Sequence, residues 1–99
     1  MPKLSADEIH AETIERLLRE NRALAHIRVR RRGDTLVLES GPTDDPLPHA
    51  RLQRATLQWW TLEMPTHTGR WESTPTRAPL QQAFATLVAQ YPWALTPIA

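Results

Sequence analysis

The sequence predicts an α+β domain in the order αββββα: a four-stranded antiparallel meander packed with an N-terminal and a C-terminal helix. Three observations carry this. Apolar side chains recur at helical spacing near both ends of the chain. Between those stretches apolar and polar residues alternate in short runs, the period of a half-buried strand. The runs are joined within each pair by short turn-forming segments, which favours neighbouring antiparallel strands.

The first helix is expected over residues 6–22. Ser5 can cap the free N–H of Glu8, and Glu8 can reach back to Ser5. Leu4 and Ile9 are placed to form a hydrophobic staple across that start. Asp7, Glu8 and Glu12 suit the positive end of the helix dipole, and Arg16, Arg19 and Arg22 suit the other. Ile14, Leu17 and Leu18 form its apolar stripe.

Ala25, Ile27 and Val29 then alternate with His26, Arg28 and Arg30, giving the first strand. Arg32-Gly33-Asp34 supplies a turn, and Thr35 to Glu39 make the return strand. Glu39 lies where a cross-strand pair with the arginine-bearing strand can form. Residues 41–48, with three prolines and two aspartates, read as a loop.

Residues 50–64 pull in two directions. Ala50 to Ala55 are good helix formers, while Thr56, Leu57, Trp59, Trp60, Thr61 and Leu62 prefer a strand. One long strand is the expectation. It places Leu52, Trp60 and Leu62 on one parity and Ala55, Leu57 and Trp59 on the other. A bulge near Gln58, or a sheet covered on both faces, would reconcile the two sets. Residues 65–69 turn the chain, and residues 70–74 return antiparallel. The second helix starts near Pro79, carries Leu80, Phe84, Leu87, Val88 and Tyr91 on one face, and ends at Pro92. Trp93, Leu95 and Ile98 make the tail over 93–99 one that packs.

At 99 residues the chain is read as one domain over 1–99, with residues 1–4 and 41–48 flexible or loop. Net charge is +1, far from a strong polycation. Eleven of the twelve basic residues are arginine; with many Ala and Pro, this reads as the composition bias of a bacterial genome. The absence of cysteine excludes disulfides, thiolate catalysis and cysteine-based metal sites. No signal peptide and no apolar run of about 20 residues is seen, so the expected setting is the cytoplasm, with no membrane contact.

Each candidate site has a structural alternative. Trp60, Trp71 and Trp93 serve either as an aromatic platform or, as expected of so small a domain, as core anchors. Trp59 must point away from Trp60 in an unbroken strand, which leaves it for a second interface such as a dimer contact. Arg28, Arg30, Arg31 and Arg32 form either a phosphate-binding stripe, joined by Arg51 and Arg54, or a solvated face salt-bridged to Glu39. His10, His26, His49 and His67 show no metal-ligand spacing, although His49 and His67 both lie near loops. Glu63 and Glu72 flank the tryptophan hairpin and, with His67, are the residues available for acid–base work. Nucleotide-cradling glycine patterns are excluded by a total of three glycines.

The segments Arg32-Gly33-Asp34-Thr35-Leu36-Val37-Leu38-Glu39, Ala50-Arg51-Leu52, Trp60-Thr61-Leu62 and Gly69-Arg70-Trp71 resemble a family of short bacterial proteins known as a domain of unknown function. The resemblance runs from Arg28 to Trp93 and implies strand for residues 50–64; it implies no activity and no ligand. Trp59 and Met64-Pro65 depart from the family's pattern.

The expected function is that of a non-enzymatic interaction module, self-associating as a homodimer or joined to a protein complex. Trp59, Trp71, Arg28, Arg30 and Arg32 are its contact candidates; no cofactor, metal or catalytic residue is assigned. The alternative is nucleic-acid binding through Arg28, Arg30, Arg51 and Arg54. A small hydrolase using His67, Glu63 and Glu72 is the third reading.

Overall fold

The structure, a computed structural model, describes residues 6–96. It is an α+β fold in two layers. Helix α1 (Glu8–Arg19) leads through a 3₁₀ turn at Arg22–Leu24 into five strands: β1 (Arg28–Arg32), β2 (Thr35–Ser40), β3 (Leu47–Arg54), β4 (Trp60–Pro65) and β5 (Trp71–Ala78). Helix α2 (Leu80–Gln90) and a second 3₁₀ turn at Pro92–Leu95 follow. The strands pair antiparallel in sequence order, so the expected meander is present with one strand more than expected.

The additional strand comes from residues 50–64, which form a hairpin and not one continuous strand. Ala55 and Thr56 both donate their amide N–H to the carbonyl of Trp59, at 2.8 and 3.2 Å, closing a turn between Arg54 and Trp60. This turn removes the parity conflict. Trp60 enters the core at 2% exposure, while Trp59 stays on the turn at 45%. The bulge expected near Gln58 is replaced by that turn. A register shift does occur at His49, between the pairs Leu38–Ala50 and Glu39–Pro48. A wider one lies in β5, where residues 74–76 stand between the paired Ser73 and Arg77. Pro75 is tolerated there because β5 is an edge strand. The loop expected over 41–48 ends at Pro46, since Leu47 and Pro48 already pair with Ser40 and Glu39.

Alternation along the strands builds the core. Leu36, Leu38, Ala50, Leu52, Trp60 and Leu62 face the helices and meet Ile14 and Leu18 of α1 and Ala83, Phe84 and Leu87 of α2. Both helices therefore cover one face, and among the described residues the opposite face carries only strand and loop residues. The first hairpin turns at Gly33-Asp34, with φ of +59° at Gly33 and no positive φ at Asp34. A positive φ at the first turn residue alone matches a type II′ hairpin, where glycine carries no steric penalty.

Helix α1 is capped at Asp7, not at Ser5, which lies outside the described residues together with Leu4 and the expected staple. The Asp7 N–H donates to Nδ1 of His10 at 3.0 Å. The His10 ring also stands edge-on to Trp60, with centroids 5.0 Å apart. Burial, and then the neighbouring Arg54 charge, lower the His10 pKa; Asp7 opposes them. Protonated Nδ1 can no longer accept the Asp7 N–H. Because the folded state binds the proton less well than the unfolded chain, His10's contribution is complete above the ordinary imidazole value of about 6.5. It is lost as pH falls below that value towards the folded pKa. Denaturant midpoints measured between roughly pH 8 and pH 5 are expected to drop on acidification, and His10→Gln, which keeps an acceptor without a titrating ring, is expected to flatten that drop.

The C-terminal 3₁₀ turn is held by two histidines. His26 Nε2 bonds the Leu95 carbonyl and His49 Nδ1 bonds the Ala94 carbonyl, both at 2.8 Å. His49 Nε2 meets Ser40 Oγ at 2.7 Å, and the two rings pack edge-on. His49 thus meets His26, not His67. Leu95 is buried, whereas Trp93 stands out at 66% exposure and is no core anchor. Ile98 lies outside the described residues.

Candidate functional site

The uncovered face of the sheet is concave and encloses about 560 Å³. Its geometry follows from register. Arg30, Val37, Arg51, Glu63 and Ser73 form one continuous cross-strand row over all five strands. Arg28, Glu39 and Pro48 form the row on one side, and Arg32, Thr35 and Gln53 the row on the other. Trp71, opposite Pro65, closes the far wall, and Pro46 and Pro48 form the rim where β3 begins.

Two carboxylates lie in the floor. Glu39 is 3% exposed, and its oxygens are held by Arg28 Nη2 at 3.2 Å and Arg30 Nε at 2.8 Å. Glu63 is 6% exposed; it accepts from Arg51 Nε at 2.6 Å and from Ser73 Oγ at 3.1 Å. The arginine side chains that neutralise these acids also cover them, which is how Thr35, Val37 and Glu39 become buried on a face without helices. The Arg51 guanidinium carbon sits 4.6 Å from the Trp71 ring centre, so Trp71 supports it from one side while Glu63 holds its Nε.

The chemistry this offers is oriented hydrogen-bond donation. A guanidinium has five N–H donors in a planar fork. Arg30 and Arg51 each spend Nε on a buried carboxylate, which fixes the plane of the group. Arg30 is still half-exposed at its side chain, and no hydrogen bond of its terminal nitrogens occurs among the described residues. Arg32 lines the same concavity, exposed and without an ion pair among the described residues. The face is nonetheless close to charge balance, with Arg28, Arg30, Arg32 and Arg51 set against Asp34, Glu39 and Glu63.

Four of the five contact candidates from the sequence therefore gather on this face: Arg28, Arg30, Arg32 and Trp71. Trp59 does not, since it sits on the turn between β3 and β4. Arg51 also joins, but Arg54 lies on the helix-covered side. There it reaches Asp7 at 3.7 Å and the Leu57 carbonyl at 2.8 Å, with its guanidinium 5.9 Å from the Trp60 ring. The four-arginine set expected for nucleic acid is thus divided between two faces.

The residues considered for acid–base work do not converge either. Glu63 pairs with Ser73 and Glu72 with Met64, so alternation points the two carboxylates to opposite faces. His67 is exposed on the turn beyond them. Among the described residues no group of three or more His, Cys, Asp or Glu side chains could hold a metal, and no helix is long and apolar enough to cross a membrane.

Sequence reasoning missed the Glu63–Arg51–Trp71 arrangement and the burial of Thr35 and Val37. The signal was present in two β-branched residues, Thr35 and Val37, on the parity of Glu39 and opposite to that of Leu36 and Leu38. The chain matches no family model, no curated protein and no solved structure.

Proposed function

We propose that this chain is a non-enzymatic protein-interaction module, set in the bacterial cytoplasm, that docks its partner on the uncovered face of the sheet. The observation that carries the reading is the concave row Arg30–Val37–Arg51–Glu63, in which buried Glu39 orients Arg30 from the next row, buried Glu63 orients Arg51, and Trp71 supports Arg51. Arginine and tryptophan are the side chains that dominate binding energy at protein interfaces, above all where their orientation is fixed before contact. Kinship with the short bacterial family that the chain resembles belongs to the same proposal and adds no activity.

Nucleic-acid binding is the weaker alternative. A phosphate-tracking surface carries a clear positive excess, whereas this face pairs most of its guanidiniums with its own acids.

Photo-crosslinking tests the proposal. A benzophenone side chain is introduced at Gln53, on the open face, or at Gln82, exposed on α2, in cells that make the protein. The expected result is one discrete protein adduct from position 53 that disappears with Trp71→Ala and is absent from position 82. Equal adducts from both positions, or none from position 53, would contradict it.

A further inference from the structure

We infer that the occupant of the concave face is a second copy of this chain, whose Asp44–Asp45 loop seats over Arg32 of the first. The inference rests on the docking role proposed above and names its partner. Charges without an ion-pair partner among the described residues stand at the two ends of the face. The loop between β2 and β3 leaves the sheet at the Arg28 end. It is tied down there, because Arg28 donates through Nη1 to the Gly41 carbonyl and through Nη2 to that of Pro42, and Asp45 N–H bonds the Pro42 carbonyl at 3.1 Å. Asp44 and Asp45 are exposed on this anchored loop and form no ion pair among the described residues. Arg32, at the other end, is likewise exposed and unpaired among them.

Within one chain these charges cannot meet. The Arg28 and Arg32 rows are four strand residues apart, about 13 Å, and the loop leaves β2 after Ser40, past the Arg28 row. A two-fold axis lying across the strands above Val37 removes the separation. It exchanges the Arg28–Glu39 row with the Arg32–Thr35 row, so the loop beyond the first comes over the second. A two-fold interface repeats every contact, and both loops find both arginines. The complementarity is thus between the face and itself, which a face near charge balance permits and a polyanion-binding face does not. The Trp71 wall and the arginine stems that cover Val37 would lie beneath the contact, supplying its apolar area.

Sedimentation velocity across a concentration series tests this. The wild-type protein is expected to form a dimer that weakens with added salt. Asp44→Lys with Asp45→Lys, and separately Arg32→Glu, are each expected to weaken self-association at least about tenfold, since each puts like charges opposite one another twice. Both changes lie at exposed positions, and circular dichroism checks that each variant folds. An equimolar mixture of the two variants is expected to restore the dimer as a heterodimer, because both reciprocal contacts again join opposite charges. A monomer at all concentrations, variants that dimerise like wild type, or a mixture that stays monomeric would overturn the inference. A crosslink from position 53 to a different protein would also overturn it, while leaving the interaction-module reading in place.

Discussion

Trp60→Ala is expected to lower the unfolding free energy by about 3–5 kcal/mol, whereas the neighbouring Trp59→Ala costs less than about 0.5 kcal/mol. The sequence places the two indoles side by side, and the fold separates them completely. Trp60 is 2% exposed, packed with His10 from α1, the Arg54 guanidinium and the leucines of the sheet. Its removal leaves a cavity where α1 meets β4. A chain of this length has roughly 5–15 kcal/mol of stability in all, so the variant would be marginal. Trp59 is on the turn, and alanine there removes no core contact. Urea denaturation of the two variants measures the difference. Equal losses would mean that residues 55–59 do not form the turn.

Glu39→Ala is expected to cost about 1–3 kcal/mol, the lower part of the range for breaking a buried pair, because Arg28 and Arg30 are themselves half-exposed and can turn to water. The functional loss should exceed the stability loss. Without the carboxylate, Arg30 is no longer fixed in plane, Arg28 loses one of its ties beside the Gly41–Pro42 backbone, and Val37 loses its cover. Glu39→Gln keeps the shape and an acceptor for Arg30, and should lose less of both. Denaturation gives the first quantity and the yield of the position-53 crosslink the second. A Glu39→Ala protein that crosslinks like wild type would show that arginine orientation is irrelevant to docking.

The parts of the fold legible in the sequence are those with a repeating signal. Alternation in Val29, Leu36, Leu38 and Leu52 and the helical spacing of Ile14, Leu18, Phe84 and Leu87 give the sheet, both helices and most of the core. The turn at 55–59 was hidden because Ala-Thr-Leu-Gln-Trp contains no Gly, Pro, Asn or Asp. Its ends are joined by backbone hydrogen bonds to Trp59, which composition does not reveal. Trp93 illustrates the converse error: a large aromatic was expected inside, but the neighbouring Leu95 fills that place while Trp93 packs outside against Tyr91. In the candidate site, the pairing of Arg28 and Arg30 with Glu39 was readable from strand order alone. The Arg51–Glu63 pair was not, because it depends on the β3–β4 hairpin that the single-strand reading removed. Burial of Thr35 and Val37 under arginine stems was hinted at only by their β-branched side chains.

The proposed partner docks on the arginine–tryptophan face, and neither the Trp59 turn nor the Trp93 turn takes part. The four tryptophans test this as built-in reporters, since Trp60 is buried, Trp59 and Trp93 are exposed elsewhere, and Trp71 alone lines the concavity. Oxidative footprinting of the protein in its own cells, compared with dilute purified protein, is expected to protect Trp71 and leave Trp59 and Trp93 equally labelled in both. Trp71 labelled alike in the two settings, with protection at Trp59 or Trp93 in its place, would contradict the account.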